Sequence, residues 1–223
     1  MSMTKAIVIA GGQSVYDENI IEKIKDKPDL TILSTDRTLK YCLENNVIPQ
    51  YCCVQENLIT AEGHDNLKEF FFHGIVKSHA DKITLYHSQI LTKERQQLVK
   101  DMGFKTIIFN RSGCGGNLPN IINTSGNCGM ALVEIARKLL KIDKIAVIGL
   151  DLDFSRDWKV YNKDPRTVES MLTNSKQQIA NDYFEIGQDG NKVCQFPTYN
   201  LTKLGSFHGI GIKEITVEEF LDE

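Results

Sequence analysis

A short apolar run that ends in two glycines opens this chain and constrains its fold more than any other feature. Lys5-Ala6-Ile7-Val8-Ile9-Ala10 reads as a buried strand, Gly11-Gly12-Gln13-Ser14 as a tight turn, and Asp17-Glu18-Asn19-Ile20-Ile21 as the start of a helix. A strand that passes through a glycine turn into a helix is the first unit of a parallel α/β layer. Glycines let backbone come close to a ligand, and the amides of the next helical turn can hold a phosphate or carboxylate. The pattern predicts a nucleotide-binding turn at Gly11, Gly12 and Ser14, against a plain strand-to-helix turn capped by Ser14.

Strand and helix signals alternate through the next two thirds. Helical spacing over Asn19–Lys25 precedes a strand at Leu30–Ser34, and Thr38–Asn45 forms a helix before a strand at Tyr51–Val54. His73–Lys77 and Ile83–His87 read as short strands, Thr92–Met102 as a helix stopped by Gly103, and Lys105–Phe109 as a strand. Ser125-Gly126 opens an amphipathic helix that leaves Glu134, Arg137, Lys138 and Lys141 to solvent. The continuous apolar strand Lys144–Gly149 follows it. Apolar runs of this kind belong to parallel sheets covered on both faces. The expected fold is α/β, Rossmann-like and doubly wound, with a mostly parallel sheet. A small C-terminal hairpin spans Asp182–Gln195 and turns at Asp189-Gly190-Asn191, before a last strand and acidic helix over Ile210–Leu221. No repeat or linker divides the chain, so residues 1–223 read as a single domain.

Composition removes several function classes. With 223 residues and 41% apolar content the chain can bury one sizeable core. A formal charge of −3 leaves no basic footprint for nucleic acid. No apolar stretch approaches the roughly 20 residues that span a bilayer, and the N-terminus lacks a leader pattern, so a cytoplasmic location is expected. The six cysteines show no C-x-x-C spacing and read chiefly as small buried hydrophobes, with Cys114 and Cys128 in glycine-rich segments. The five histidines show no metal-ligand spacing; His208, in a glycine-bracketed loop, is a candidate general acid.

In such sheets ligands bind beyond the carboxyl ends of the strands. Segments that meet there are Gly11–Ser14, Ser34–Arg37, Gln55–Asn57 and Leu150–Asp153, joined by the helix entry Asn123–Asn127. The first lacks a third glycine at dinucleotide spacing, and no G-K-[ST] occurs for a P-loop. Asp36 either accepts from a ribose hydroxyl or caps the following helix. Glu56 is either a metal ligand or base, or a solvated loop residue. Asp151 and Asp153 flank Leu152, which sends one of them toward the cleft. Thr124, Ser125 and Gly126 offer hydroxyls and free amides to an anion, or simply cap a helix. Trp158 and Tyr161 can stack on a heterocycle, or pack.

Taken in order, Ile9–Ser14, Thr38–Tyr51 and Ser125–Gly129 through Ile148–Leu152 resemble the MptE-like 6-hydroxymethylpterin diphosphokinase family over most of Ala6–Phe154. Gln13 stands where that family has proline, and Gln50 where it has aspartate. The resemblance implies two chemistries. One is ATP-dependent diphosphate transfer to a pterin, with Glu56, Asp151 and Asp153 holding Mg²⁺. Val54-Gln55-Glu56-Asn57 and Ser78-His79-Ala80-Asp81 lack most of the family's acidic segments, which weakens that chemistry. The other follows from a likeness to motility-accessory glycosyltransferases and bacterial lipooligosaccharide sialyltransferases, matched by Ala10–Ser14 and Thr124–Gly126.

The second likeness implies transfer of a sialic-acid-like sugar from a CMP-sugar donor to an acceptor hydroxyl on a small molecule or glycan, with no obligatory cofactor. Gly11, Gly12, Ser14, Thr124, Ser125 and Gly126 would then surround the nucleotide phosphate, with Asp36 near the ribose. Asp151, Asp153, Tyr161 and His208 would line the reacting centre. A non-catalytic nucleotide-binding protein is the third reading. A homo-oligomer is compatible with all three.

Overall fold

The computed structural model of the chain describes residues 3–17, 19–55, 71, 73–112, 119–152, 165–185, 197–202 and 205–222. The apolar run after the N-terminus is β1 (Lys5–Ile9), and the glycine turn leads into the short helices α1 (Ser14–Asp17) and α2 (Ile20–Ile24). Then come β2 (Leu30–Thr35), α3 (Asp36–Glu44), β3 (Tyr51–Val54), α4 (Gly74–Lys77), β4 (Thr84–Ser88), α5 (Lys93–Asp101), β5 (Lys105–Arg111) and β6 (Ile121–Ile122). The later elements are α6 (Cys128–Glu134), β7 (Lys144–Ile148), α7 (Pro165–Glu185), β8 (Thr198–Asn200), β9 (Ile212–Glu214) and α8 (Val217–Asp222).

The strands form one sheet in the order β6-β5-β4-β3-β2-β1-β7-β8-β9, and all the strand pairs are parallel. From the centre the chain winds outward through β2 to β6, then returns to place β7 on the other side of β1. The crevice between β1 and β7 is therefore the topological switch point, where open α/β sheets bind ligands.

Alternation along β1 separates two core layers. Ala6, Val8 and Ala10 pack with α6 and with Met171 and Ile179 of α7. Ile7 and Ile9 face the opposite layer, with Ile20, Ile21 and Ile24 of α2 and Phe220 of α8. A third cluster, built on Leu39, Val54, Leu85 and Val99, extends that second layer under α3 to α5.

Three local expectations change. The segment expected as a strand at His73–Lys77 is the helical turn α4, closed by Lys77 N–H to His73 O at 3.0 Å and Ser78 N–H to Gly74 O at 2.9 Å. Because β3 pairs directly with β4, no place in the sheet remains for it. Asp182–Glu185, expected to begin a hairpin, ends α7 instead. The Asp189-Gly190-Asn191 turn lies outside the described residues, and the described C-terminal strands β8 and β9 extend the sheet in parallel.

Glu134, assigned to solvent by its helical spacing, is fully buried. There α6 passes into a π-helical turn, Ile135–Leu139, while α7 covers this face through an Arg137–Asp182 ion pair at 2.9 Å. Asp182 and Glu134 lie together at this junction, both buried. Burial first, then Glu134, push the Asp182 carboxyl up to about 7 against the opposing pull of Arg137. Lys138 Nζ reaches Glu134 Oε2 at 2.5 Å, and Arg137 also donates to Thr198 Oγ1 at 2.9 Å.

Candidate functional site

At the switch point the glycine turn is closed against the end of β7. Gly12 N–H donates to Gly149 O at 2.7 Å, and Gly149 N–H donates to Ser14 Oγ at 3.0 Å. The Ser14 hydroxyl donates to Asp151 Oδ1, and Ser14 N–H to Asp151 Oδ2 at 2.8 Å. Ser14 and Asp151 are both fully buried. Glycine is required here by space: a Cβ on Gly12 would lie 2.6 Å from Gly149 O and 2.7 Å from Asp151 Oδ2. One on Gly149, where φ is +75°, would lie 2.5 Å from Ala10 O. Ser14 and Asp151 thus brace two strand ends to each other. Gly11, half-buried, lies at the outer side of this turn beside the aliphatic stem of Arg37.

The other strand ends place their residues as follows. Asp36 is half-buried in the first turn of α3, where its Oδ1 accepts from Arg37 N–H at 3.1 Å while Thr35 occupies the cap position. Gln55, directly after β3, is buried with neither amide atom hydrogen-bonded. An unsatisfied buried amide costs about 1–3 kcal/mol. His87 on β4 is a core histidine: its Nδ1 lies 3.3 Å from Ser88 O, and burial lowers its pKa. His208 is exposed, although its loop is held to the site by Ser206 N–H donating to Asp151 O at 3.0 Å. Glu56, Asp153, Trp158 and Tyr161 lie outside the described residues.

The Thr124-Ser125-Gly126 turn borders a cleft, but its amides are not free as expected: Ser125 N–H donates to Asn123 Oδ1 at 3.2 Å and Gly126 N–H to Thr124 Oγ1 at 3.3 Å. Asn127, rather than Ser125, caps α6, accepting from Met130 N–H at 2.8 Å. Asn127 N–H closes the turn on Thr124 O at 2.8 Å, with Ser125 and Gly126 both left-handed at φ 43° and 83°. The turn lines a cleft of about 740 Å³, bounded on one side by Arg111 and Ser112 at the end of β5 and on the other by α7. Gln178 of α7 joins the two, accepting from Ser125 Oγ and donating to Asn123 O at 3.1 Å. Ligand pockets are predominantly apolar; this one is lined by hydroxyls, amides and a guanidinium.

Sequence reasoning missed Arg111 and the whole of α7 as parts of this region. An arginine at a strand end was the available signal for the first. For α7 the helical run after Pro165 was legible in principle, but its packing partner was not.

The sequence model of the MptE-like family, described as 6-hydroxymethylpterin diphosphokinase MptE-like, matches residues 2–157, well over half of the chain. The chain belongs to the MptE-like family. Among curated proteins none matches it in sequence. Among solved structures it is similar to the MAf glycosyltransferase from Magnetospirillum magneticum AMB-1, at 14% identity and a TM-score of 0.60. That match covers 96% of this chain and 34% of the other, so the chain spans about a third of that protein's length. The likeness shows the shared fold. Family membership supports a transferase as the coarse description of this MptE-like chain. Among the described residues no helix is long and apolar enough to cross a membrane, and no three His, Cys, Asp or Glu side chains cluster to hold a metal ion.

Proposed function

We propose that this MptE-like chain is a nucleotide-dependent transferase that moves a sialic-acid-like sugar from a CMP-sugar donor to an acceptor hydroxyl in the cytoplasm. The observation that carries the reading is the polar cleft at the Thr124–Gly126 turn, beyond the carboxyl ends of the strands. Its hydroxyls, amides and Arg111 suit a phosphate that departs with its charge held by hydrogen-bond donors. Thr124, Ser125 and Gly126 contact that phosphate, joined from the β1 side by Gly11 and Arg37, while Asp36 serves the ribose.

In the reaction the acceptor oxygen attacks the anomeric carbon and the bond from that carbon to the CMP oxygen breaks. CMP leaves with the electron pair, and a base takes the hydroxyl proton. His208, Asp153 and Tyr161 are the candidates for that reacting centre. Gly12, Ser14 and Asp151, which are locked together, serve it by holding the strand ends in place.

Diphosphate transfer from ATP to a pterin is the second reading, favoured by the description of the family. It requires Mg²⁺. Asp151 fits poorly as a ligand because it is fully buried and both its oxygens accept from Ser14. Glu56 and Asp153 would have to hold the cation without it.

A melting-temperature panel with CMP, CDP, ATP plus Mg²⁺, and NAD separates these readings, because a ligand specific for the folded state raises the transition. The expected result is stabilisation by CMP in the absence of metal. A shift with ATP that depends on Mg²⁺, with none from CMP, overturns the glycosyl reading in favour of the second. Release of CMP from a CMP-sugar by the protein separates an enzyme from a non-catalytic binder.

A further inference from the structure

Helix α7 lies beyond the residues that the family model matches, yet it supplies one wall of the cleft. Its buried side, Met171, Ser175, Gln178, Ile179 and Asp182, recurs at three- to four-residue spacing and docks on α6 and the Asn123–Asn127 turn. Ser170, Asn174, Gln177 and Asn181 recur at the same spacing on the cleft side, and all four are exposed. None is charged. From the first to the last of them the helix rises about 16 Å, which is longer than a single sugar ring.

The row is internally paired, Gln177 Nε2 donating to Asn181 Oδ1 at 2.7 Å and Asn174 Nδ2 to Ser170 Oγ at 3.4 Å. Each amide keeps further donor and acceptor capacity of the kind that a hydroxyl, itself both donor and acceptor, can pair with. Arg111 is the charged group among the described lining residues, and a guanidinium suits a planar acid group through paired N–H donors. The cleft floor is built rather than incidental. Gln178, only 4% exposed, uses both ends of its amide to hold Ser125 and Asn123.

We infer that this cleft takes a polyhydroxylated ligand of more than one ring bearing a single acid group, with its hydroxyls on the α7 amides and its acid on Arg111. The use of that ligand in sugar transfer rests on the proposed function; its binding does not. The same chemistry has two sources, the acidic sugar of an activated donor and an acidic glycan that serves as acceptor.

The test is calorimetric and ligand-observed NMR titration of the full chain with sialyllactose, methyl galactoside, CMP and CMP-N-acetylneuraminic acid. Sialyllactose should bind more tightly than methyl galactoside. Asn174→Ala and Gln177→Ala should each weaken it by about threefold to tenfold, the loss of one net hydrogen bond. Arg111→Gln should abolish the preference for the acidic ligand. Melting temperatures of the Asn174→Ala and Gln177→Ala variants should stay at the wild-type value, because those two groups are exposed.

If Asn174→Ala weakens CMP-N-acetylneuraminic acid and leaves CMP untouched, the donor sugar occupies α7. If both nucleotides bind as in wild type while sialyllactose is weakened, the acceptor does. Sialyllactose binding that is absent from the wild type, or equal in all the variants, overturns the inference. So does an Asn174→Ala variant that weakens CMP as much as the sugar. A chain that ignores CMP but still loses sialyllactose on Asn174→Ala refutes the proposed donor and leaves this site standing.

Discussion

The two glycine-containing turns at the carboxyl ends of the sheet differ in what satisfies them. Around Gly11–Ser14 the donors and acceptors are used by the protein itself: Gly12 by Gly149, and Ser14 by Asp151 through both its N–H and its hydroxyl. Around Thr124–Gly126 the amides bond only to oxygens of the turn's own residues, Ser125 N–H to Asn123 Oδ1 and Gly126 N–H to Thr124 Oγ1, and the turn faces a cleft of about 740 Å³. The first turn braces two strand ends, and the second borders a cleft. A phosphate-cradle pattern in a sequence thus does not say whether ligand or protein occupies it.

Substitutions at the brace should have the largest effect on folding. Gly149→Ala places a Cβ against Ala10 O at left-handed φ, and a loss of about 3 kcal/mol is expected. A urea unfolding curve close to wild type would mean that the brace is looser than described. Asp151→Ala leaves the buried Ser14 N–H and hydroxyl without their acceptor and should remove about 2 kcal/mol. If it abolishes CMP-sugar turnover at unchanged stability, Asp151 belongs to the chemistry and the contrast between the two turns fails.

The α6–α7 junction that builds the open cleft should respond to pH. Folded Asp182 holds a proton up to about pH 7, beside Glu134, Arg137 and Lys138, whereas an unfolded aspartate releases it near pH 4. The folded state therefore binds the extra proton between those values, and stability falls as pH rises through that window. In Asp182→Asn this part of the decline should vanish, read from urea midpoints at pH 5 and pH 8. An undiminished decline in the variant would remove the pair as its source. The smallest effect is expected in the cleft, where Asn174→Ala should change stability by no more than about 0.5 kcal/mol. A larger loss would make the amide row part of the scaffold.

Much of the α/β scaffold was legible because its signals are local. The Tyr51–Val54 strand follows from its apolar run, and the Lys93–Asp101 helix from the run that Gly103 stops, its start capped by the Thr92 hydroxyl that accepts from Arg95 N–H. The failures share one cause. Helical spacing assigned Glu134 to solvent because it registers the helix's own faces and not a second helix laid over them. His73–Lys77 read as strand from its apolar content, whereas the direct β3–β4 pairing decides that it is crossover. At the cleft, the Thr124–Gly126 turn was legible as a helix entry at the strand ends, while the opposite wall was not, since residues 165–181 carry neutral amides that resemble any solvated surface.

The sequence by itself determined that strands pass through glycine turns into helices, and hence that a parallel sheet gathers those turns at one end. Periods of two and of three to four residues are set by backbone geometry and need no distant partner. Only the tertiary structure decided which turn is locked to a neighbouring strand end and which borders a cleft. The partners that decide it, Asp151 for Ser14 and Gln178 for Ser125, lie 137 and 53 residues away along the chain. Winding order and helix docking bring them together, and neither leaves a mark in the residues on either side of the turns.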